Sequence, residues 1–372
     1  MQVIEVKDSN SRKLFLDITD VIYENDPNWI RPLDQSIEQV FDENLNPYFG
    51  HGVCTRWILF DASKQPIGRI AAFVNHKKAN SFEVPTGGCG YFECIDDQGA
   101  ANFLFDTAKH WLEEKGMRAM QGPINFGEND SFWGLLVEGF TPASYGMNYN
   151  PSYYKELFEN YGFTTAYEQI TNHLDLNTPF PERFTKIANW VASRPGYTFE
   201  HFDKSQSEKY VNHLMEIYND GWQNFDNFSP IKKEVLLESF KKMEPIMDEK
   251  LIWFAYHNGA PAAFVVIIPD ANQFIKGLNG KLNLLGKLKF AYNRWKGADR
   301  LRAVVMGTKQ AYQKHGLESA LFIKLKHYVI PKKQYNELEL SWVGDFNNKM
   351  LSIHEATGAA FGKRHLTLVK TF

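Results

Sequence analysis

The sequence predicts a mixed α/β (α+β) sheet protein in two domains. Three observations carry this. The chain has 372 residues, more than one hydrophobic core usually fills. Its hydrophobic fraction of 44% and charged fraction of 23% are those of a globular chain. Both halves run through the same order: a hairpin, a strand, a helix, another strand and a short helix, which suits mixed sheets covered by helices.

The first half begins with a short edge strand at 3–8. Leu14, Ile18 and Ile22 then fall at helical spacing, and Asp26-Pro27 ends that element. Residues 54–75 form a hairpin around a polar turn at Asp61, Ser63 and Gln65. A strand follows at 88–96. Phe103, Phe105, Ala108, Trp111 and Leu112 give a helix over 100–114 a broad apolar face, closed by Gly116. Strands at 118–124 and 132–140, a helix between Pro151 and Gly162, and a strand at 168–176 complete the half. Pro179 and Pro181 mark a linker over 176–196 that also holds a short helix at 184–193. The domains are thus 1–175 and 197–372.

The second half opens with a strand at 197–202 and helices at 208–222 and 231–243. A hairpin at 251–269 turns at Asn258-Gly259. An insertion at 271–300 carries Lys276, Lys281, Lys287, Lys289, Arg294, Lys296 and Arg300 among Leu, Phe and Trp. Its candidate contacts are a ligand phosphate, an acidic substrate, RNA or a membrane surface, against a plain solvated basic helix. Then come a strand at 301–307, a helix at 318–329, a strand at 337–343, a helix at 347–358 and a last strand at 363–372.

Composition excludes several functions. The net charge of −3 provides no global cationic field, so nucleic acid is not an expected partner. Cys54, Cys89 and Cys94 form no CxxC pair, which suits reduced thiols and a cytoplasmic location. The start lacks a basic-then-apolar leader. No run of 18 apolar residues occurs, so no membrane insertion is expected. No His/Cys spacing suggests a metal site.

The most informative stretch is 304–329, a strand, a polar loop and a helix. Amides at a helix start lack partners within the helix, and the helix dipole favours anions there. Lys309 and Lys314 would reinforce such a site, and Gly316 permits close backbone approach. The plain alternative is a strand–loop–helix crossover with a glycine turn.

Gln313-Lys314-His315-Gly316-Leu317-Glu318-Ser319-Ala320 resembles the pyrophosphate motif of GCN5-related N-acetyltransferases (GNATs). Gln313 and Gly316 match that pattern. Glu318 departs from it, standing where a small residue is usual. The resemblance covers 197–372, with a diverged copy in 1–175, and implies a tandem acyl-CoA N-acyltransferase (GNAT-like) fold. It implies that Ala303, Val304, Val305 and Met306 face the pantetheine arm of acetyl-CoA or another acyl-CoA. It also places Gln313, Lys314, His315, Gly316, Leu317, Glu318, Ser319 and Asn347 around the cofactor, with no metal. The gap that admits the arm would lie beside the strand Glu339-Leu340-Ser341-Trp342-Val343.

The implied activity is acyl transfer, acetyl being the expected group, to a primary amine on a small molecule or peptide. Glu339, Ser341, His354 and His365 are the candidate proton-handling residues, with Glu339, Ser341 and His365 preferred. In the first half, Asp96 and Asp97 stand where a cofactor loop would be, so that copy is expected to have lost acyl-CoA binding. Trp133, Tyr145, Met147, Tyr149, Tyr153 and Tyr154 are candidates for an aromatic acceptor wall, against plain inter-domain packing. Two other readings stay open: a non-catalytic CoA-binding or interaction module, and an aminoacyl-tRNA-dependent transferase.

Overall fold

The computed structural model describes residues 1–223 and 230–372. β1 (Gln2–Glu5) leads into α1 (Ser9–Ile22). The Asp8 side chain accepts from the amides of Asn10 and Ser11, which starts α1 where the orphan donors need partners. After α2 (Asp34–Val40), β2 (Gly52–Phe60) and β3 (Pro66–Asn75) form the expected hairpin. β4 (Thr86–Cys94), α3 (Gln98–Glu114), β5 (Ala119–Gly122), β6 (Leu135–Glu138), α4 (Tyr154–Tyr161) and β7 (Thr164–Asp175) follow. Gly162 ends α4 at φ 95°, where a Cβ would be strained.

α5 (Glu182–Ser193) connects to β8 (Tyr197–His201), α6 (Ser207–Trp222) and α7 (Lys233–Met243). β9 (Ile252–His257) and β10 (Ala260–Pro269) turn at Asn258 and Gly259, whose φ values of 49° and 81° explain that dipeptide. The insertion folds as α8 (Ala271–Ile275) and α9 (Leu284–Lys296). β11 (Arg300–Thr308), α10 (Leu317–Val329), β12 (Glu337–Gly344), α11 (Asn348–Ala356) and β13 (Ala360–Thr371) close the chain.

The strands join in one 13-stranded sheet, ordered β1-β2-β3-β4-β5-β13-β7-β12-β11-β10-β9-β8, with β6 also on β13. The halves therefore exchange strands. β13, the last of the chain, pairs with β5 and β7. β7, from the first half, pairs with β12. Helices cover both faces: α3 and α4 bury Leu104, Phe105, Leu157 and Phe158, and α5 and α10 bury Val191, Leu317 and Leu321, in cores on one face, while α1 buries Phe15 against Ile58 and α6 buries Leu214 and Ile217 in the cores of the other.

The seam where the halves meet holds a buried charged group. Glu339 on β12 and Lys363 on β13 are 0% exposed and 3.8 Å apart. Lys363 Nζ donates to Thr141 Oγ1 at 2.8 Å. Asp270, 0% exposed, accepts from Arg300 Nη2 at 2.6 Å and Nε at 3.1 Å.

Candidate active site

Each half contains a pair of parallel strands that part partway along their length. β11 and β12 pair only from Arg300–Ala303 against Glu337–Leu340. Beyond that point β12 no longer covers β11. Val304 is 36% exposed although it lies within a sheet strand, and Val305 and Met306 are half-buried. The register with β10 skips one residue here, since Ile267 faces Ala303 and Val266 faces Val305. Val304 is thus the extra residue of a β-bulge, a device that re-aims backbone and side chain locally. Ser341 Oγ donates to Ala303 O across the fork and accepts from Arg302 Nε at 3.4 Å.

β4 and β5 form the equivalent fork in the first half, paired from Thr86–Gly88 against Ala119–Gln121. It is filled by its own chain. Ile124 N donates to Cys89 O at 2.8 Å, and Gly90 sits so close to Ile124 that an added Cβ would lie 1.9 Å from its carbonyl oxygen.

The helices after the two forks differ in the same sense. At α3 the Asp97 carboxylate caps the helix, accepting from Ala100 N at 2.6 Å. At α10 the cap position is Gly316, at φ 78°, with no side-chain cap. The amides at the start of α10 are left for a ligand or solvent. Gln313 Oε1 accepts from Lys349 Nζ at 2.7 Å, and exposed Lys314 is adjacent. Glu318 turns inward, where its carboxylate accepts from Thr308 Oγ1 at 2.8 Å. It therefore does not project at an incoming anion. Lys309 is committed to Glu216, so Lys349 rather than Lys309 accompanies Lys314 at the loop. His315 Nδ1 shares a 2.7 Å hydrogen bond with the Tyr197 hydroxyl. Leu317 is buried, Ser319 is half-buried, and Asn347 caps α11 by accepting from Met350 N.

The preferred proton-handling residues separate. Ser341 stands at the fork. Glu339 and His365 lie beneath the surface at the seam. Burial pushes the Glu339 carboxyl up, but Lys363, Arg300, Arg302 and His173 outweigh it and hold it below its ordinary value. His365 Nε2 donates to Asn148 O at 2.9 Å, which leaves Nδ1 unprotonated and without a partner. Burial pushes the His365 imidazole down to about 4, and does the same to His354, whose Nδ1 accepts from Asn172 Nδ2 at 3.1 Å.

These two histidines give the fold an acid limit. In the unfolded chain each imidazole binds a proton below about pH 6.5; in the folded chain neither does until about pH 4. Stability is therefore fully present above pH 6.5 and falls as pH drops through that window, by about 2 kcal/mol for each histidine at pH 5. Urea melts at pH 7 and pH 5 should show this loss, and His354→Gln should reduce the difference. An unchanged pH dependence in that variant would contradict the assignment.

A cavity lined mostly by the first half lies beside the fork of the second. Tyr145, Met147, Tyr149 and Tyr154 line it, joined by Trp29 and Tyr91. Two other expected wall residues lie elsewhere: Trp133 Nε1 donates to Tyr167 OH at 2.9 Å, and Tyr153 OH donates to Cys94 O at 2.8 Å. The polar lining of the cavity includes Arg31, Asp34, Arg69 and Glu93; Arg69 and Glu93 are 3.3 Å apart, and both Tyr23 and Tyr154 donate to Glu93 Oε2 at 2.8 Å. The wall shared with the fork is the loop at 143–149. Arg302 Nη1 donates to Tyr145 O there. Sequence reasoning missed Arg302, which reads as one more polar residue in an apolar strand. Its alternation with Val304 next to the proposed pantetheine strand was the available signal.

No family model matches the chain. Among solved structures, a tandem GNAT protein from the clavulanic acid biosynthesis pathway aligns over 100% of this chain and 98% of its own, with a TM-score of 0.57 at 12% identity. A GCN5-related N-acetyltransferase from Sphaerobacter thermophilus aligns over 99% and 95%, with a TM-score of 0.56 at 10% identity. The chain has a tandem GNAT fold. Two curated proteins share sequence along this tandem fold. The bacterial ceramide synthase of Caulobacter vibrioides (strain NA1000 / CB15N) is 29% identical over 98% of this chain and 96% of its own. Protein YghO of Escherichia coli (strain K12) is 28% identical over 96% and 92%. Among the described residues no cluster of His, Cys, Asp or Glu suits a metal ion, and no helix is long and apolar enough to cross a membrane.

Proposed function

We propose that this chain is an acyl-CoA-dependent N-acyltransferase, with acyl-CoA in the fork of the second half and a primary amine entering from the cavity of the first. The contrast between the two forks carries this reading. One is filled by Ile124 and followed by a helix capped with a carboxylate. The other is open at Val304 and followed by a helix without a side-chain cap.

The residues present fit acyl-CoA. Val304, Val305 and Met306 offer a strand edge that β12 leaves uncovered. The Gln313–Ser319 loop offers helix-start amides, with Lys314 and Lys349 to balance phosphate charge. Acyl-CoA supplies a thioester carbonyl. The amine nitrogen attacks it, the C–N bond forms, the C–S bond breaks, and the amine proton leaves while CoA departs as the thiol. The amine attacks in its neutral form. Arg302 stands at the branching point, and among the described residues its Nη2 has no hydrogen-bond partner; it is the donor assigned to the negative charge that develops on the carbonyl oxygen. Ser341 holds the fork. Glu339 and His365 are assigned to positioning, because their free lone pairs are enclosed and both ionise at low pH.

The cavity and one relative support a reading of the acceptor class. A ceramide is the amide of a fatty acid with a long-chain amino alcohol, and the Caulobacter ceramide synthase matches along nearly its whole length. With the aromatic lining, this favours an amphiphilic amine and a long acyl chain over acetyl transfer to a small polar amine.

Calorimetric titration with acetyl-CoA and a long-chain acyl-CoA tests the donor site. Gly316→Val should weaken binding at least tenfold, because its Cβ would lie 3.1 Å from Val191 Cγ2 at a φ of 78°. Absence of binding at millimolar ligand, or equal affinity in the variant, would reject the site.

A further inference from the structure

The insertion between β10 and β11 places an apolar surface on the outside of the molecule. On α9, Leu284, Leu285, Leu288, Tyr292 and Trp295 are 75%, 75%, 62%, 60% and 82% exposed. At 100° per residue these five fall within an arc of about 100° on one side of the helix. The opposite side faces the protein. Gly286 is buried there, and the Phe290 ring lies 6.1 Å from that of Phe274 on α8. Asn293 Nδ2 donates to the carbonyls of Phe274 and Lys276 at 2.9 and 3.1 Å. The helix is therefore held along its polar side and turns its apolar side outward, the reverse of a surface helix serving only the core.

Basic residues border that apolar arc on both sides: Lys289 and Lys296 along one edge, Lys287 and Arg294 along the other. From 276 to 296 the chain has six basic and no acidic residues, within a protein of net charge −3. Among the described residues none of the six forms an ion pair, although Lys289 Nζ donates to Gly277 O at 2.9 Å. The insertion also reaches the rim of the cavity. Asp34 N donates to Gly280 O at 2.8 Å, and Asp34 and Asn272 both line that cavity.

We propose that α9 is an interfacial helix that seats the protein on an anionic lipid bilayer, with its apolar arc among the acyl chains and its basic edges at the headgroups. Such helices bind through buried apolar area plus attraction to anionic lipid. Trp and Tyr within the arc suit the headgroup boundary. RNA would engage the basic edges but leave three leucines in water. A second copy of this chain would have to bring four more cations against the same edges, with no acidic partners on the helix. The inference stands independently of the acyl chemistry, since vesicle binding requires no acyl-CoA. It gives the acceptor cavity an entrance beside the membrane.

Co-sedimentation with phosphatidylcholine vesicles, with and without phosphatidylglycerol, tests the proposal. The full chain should pellet with the phosphatidylglycerol vesicles and much less with phosphatidylcholine alone. The triple variant Leu284→Ser, Leu288→Ser, Trp295→Ser should lose vesicle affinity by about 100-fold or more. Lys287→Gln with Arg294→Gln should lower it by roughly fivefold per charge and reduce the preference for anionic lipid. Both variants should keep the wild-type urea midpoint, since these side chains are exposed. Failure of the wild-type chain to bind either vesicle would overturn the proposal, as would full binding by the triple variant. A wild-type dimer that the triple variant abolishes, without vesicle binding, would assign the face to a second copy instead. RNA retention lost only with the basic residues would likewise overturn it.

Discussion

Replacing Asp270 with alanine is expected to destabilise the fold by about 3–5 kcal/mol. The carboxylate is fully buried and has four partners: Tyr145 N at 2.9 Å, Asn272 N at 3.1 Å and two guanidinium nitrogens of Arg300. Removing it strands a cation that is itself only 10% exposed. Arg300 also donates to the carbonyls of Pro142 and Ala143, so the change loosens the loop that divides the cavity from the fork. Urea denaturation measures the loss. Asp270→Leu combined with Arg300→Met should recover a large part of it, because a buried pair replaced as a pair leaves no lone charge. If the single alanine variant loses less than 1 kcal/mol, the pair does not hold the seam.

The second large effect concerns chemistry. Arg302→Met should lower kcat by about 10²–10³-fold, the usual consequence of losing one donor to a developing oxyanion. KM for acyl-CoA should change little, because the loop at Gln313–Ser319 lies at the other end of the strand. Arg302→Lys keeps the charge and should restore part of the rate. A merely structural role would lower the urea midpoint and raise KM without separating methionine from lysine. Measuring kcat, KM and the urea midpoint for both variants distinguishes these cases.

The order of elements was legible from local pattern. Apolar runs marked β9 and β10, Asn258-Gly259 marked their turn, and the apolar face around Phe105 and Leu112 marked α3. The exchange of β7 and β13 between the halves was not legible, because both strands alternate apolar and polar residues in ways that suit either neighbour. Their partners are decided by long-range packing. The loop at Gly316 was visible as a resemblance, whereas the direction of Glu318 depends on Thr308, a contact the spacing does not encode. In the first half, two acidic residues signalled a poor phosphate site; the structure shows Asp97 as a helix cap and adds the filling of the fork by Ile124. The basic character of 271–300 was plain in the sequence. Its outward apolar arc emerged only once Phe290 and Asn293 were seen to face the protein.

The central claim is that the open fork performs amide synthesis. The most direct measurement incubates the full chain with a long-chain acyl-CoA and a long-chain amino alcohol in the presence of phosphatidylglycerol vesicles, and follows free CoA thiol together with the amide product by mass spectrometry. The account predicts amide and thiol in equal amounts, both strongly reduced in Arg302→Met. Binding of acyl-CoA with no amide from this amine or from a panel of shorter amines would contradict it, and would mark the chain as a binding module built on a transferase fold.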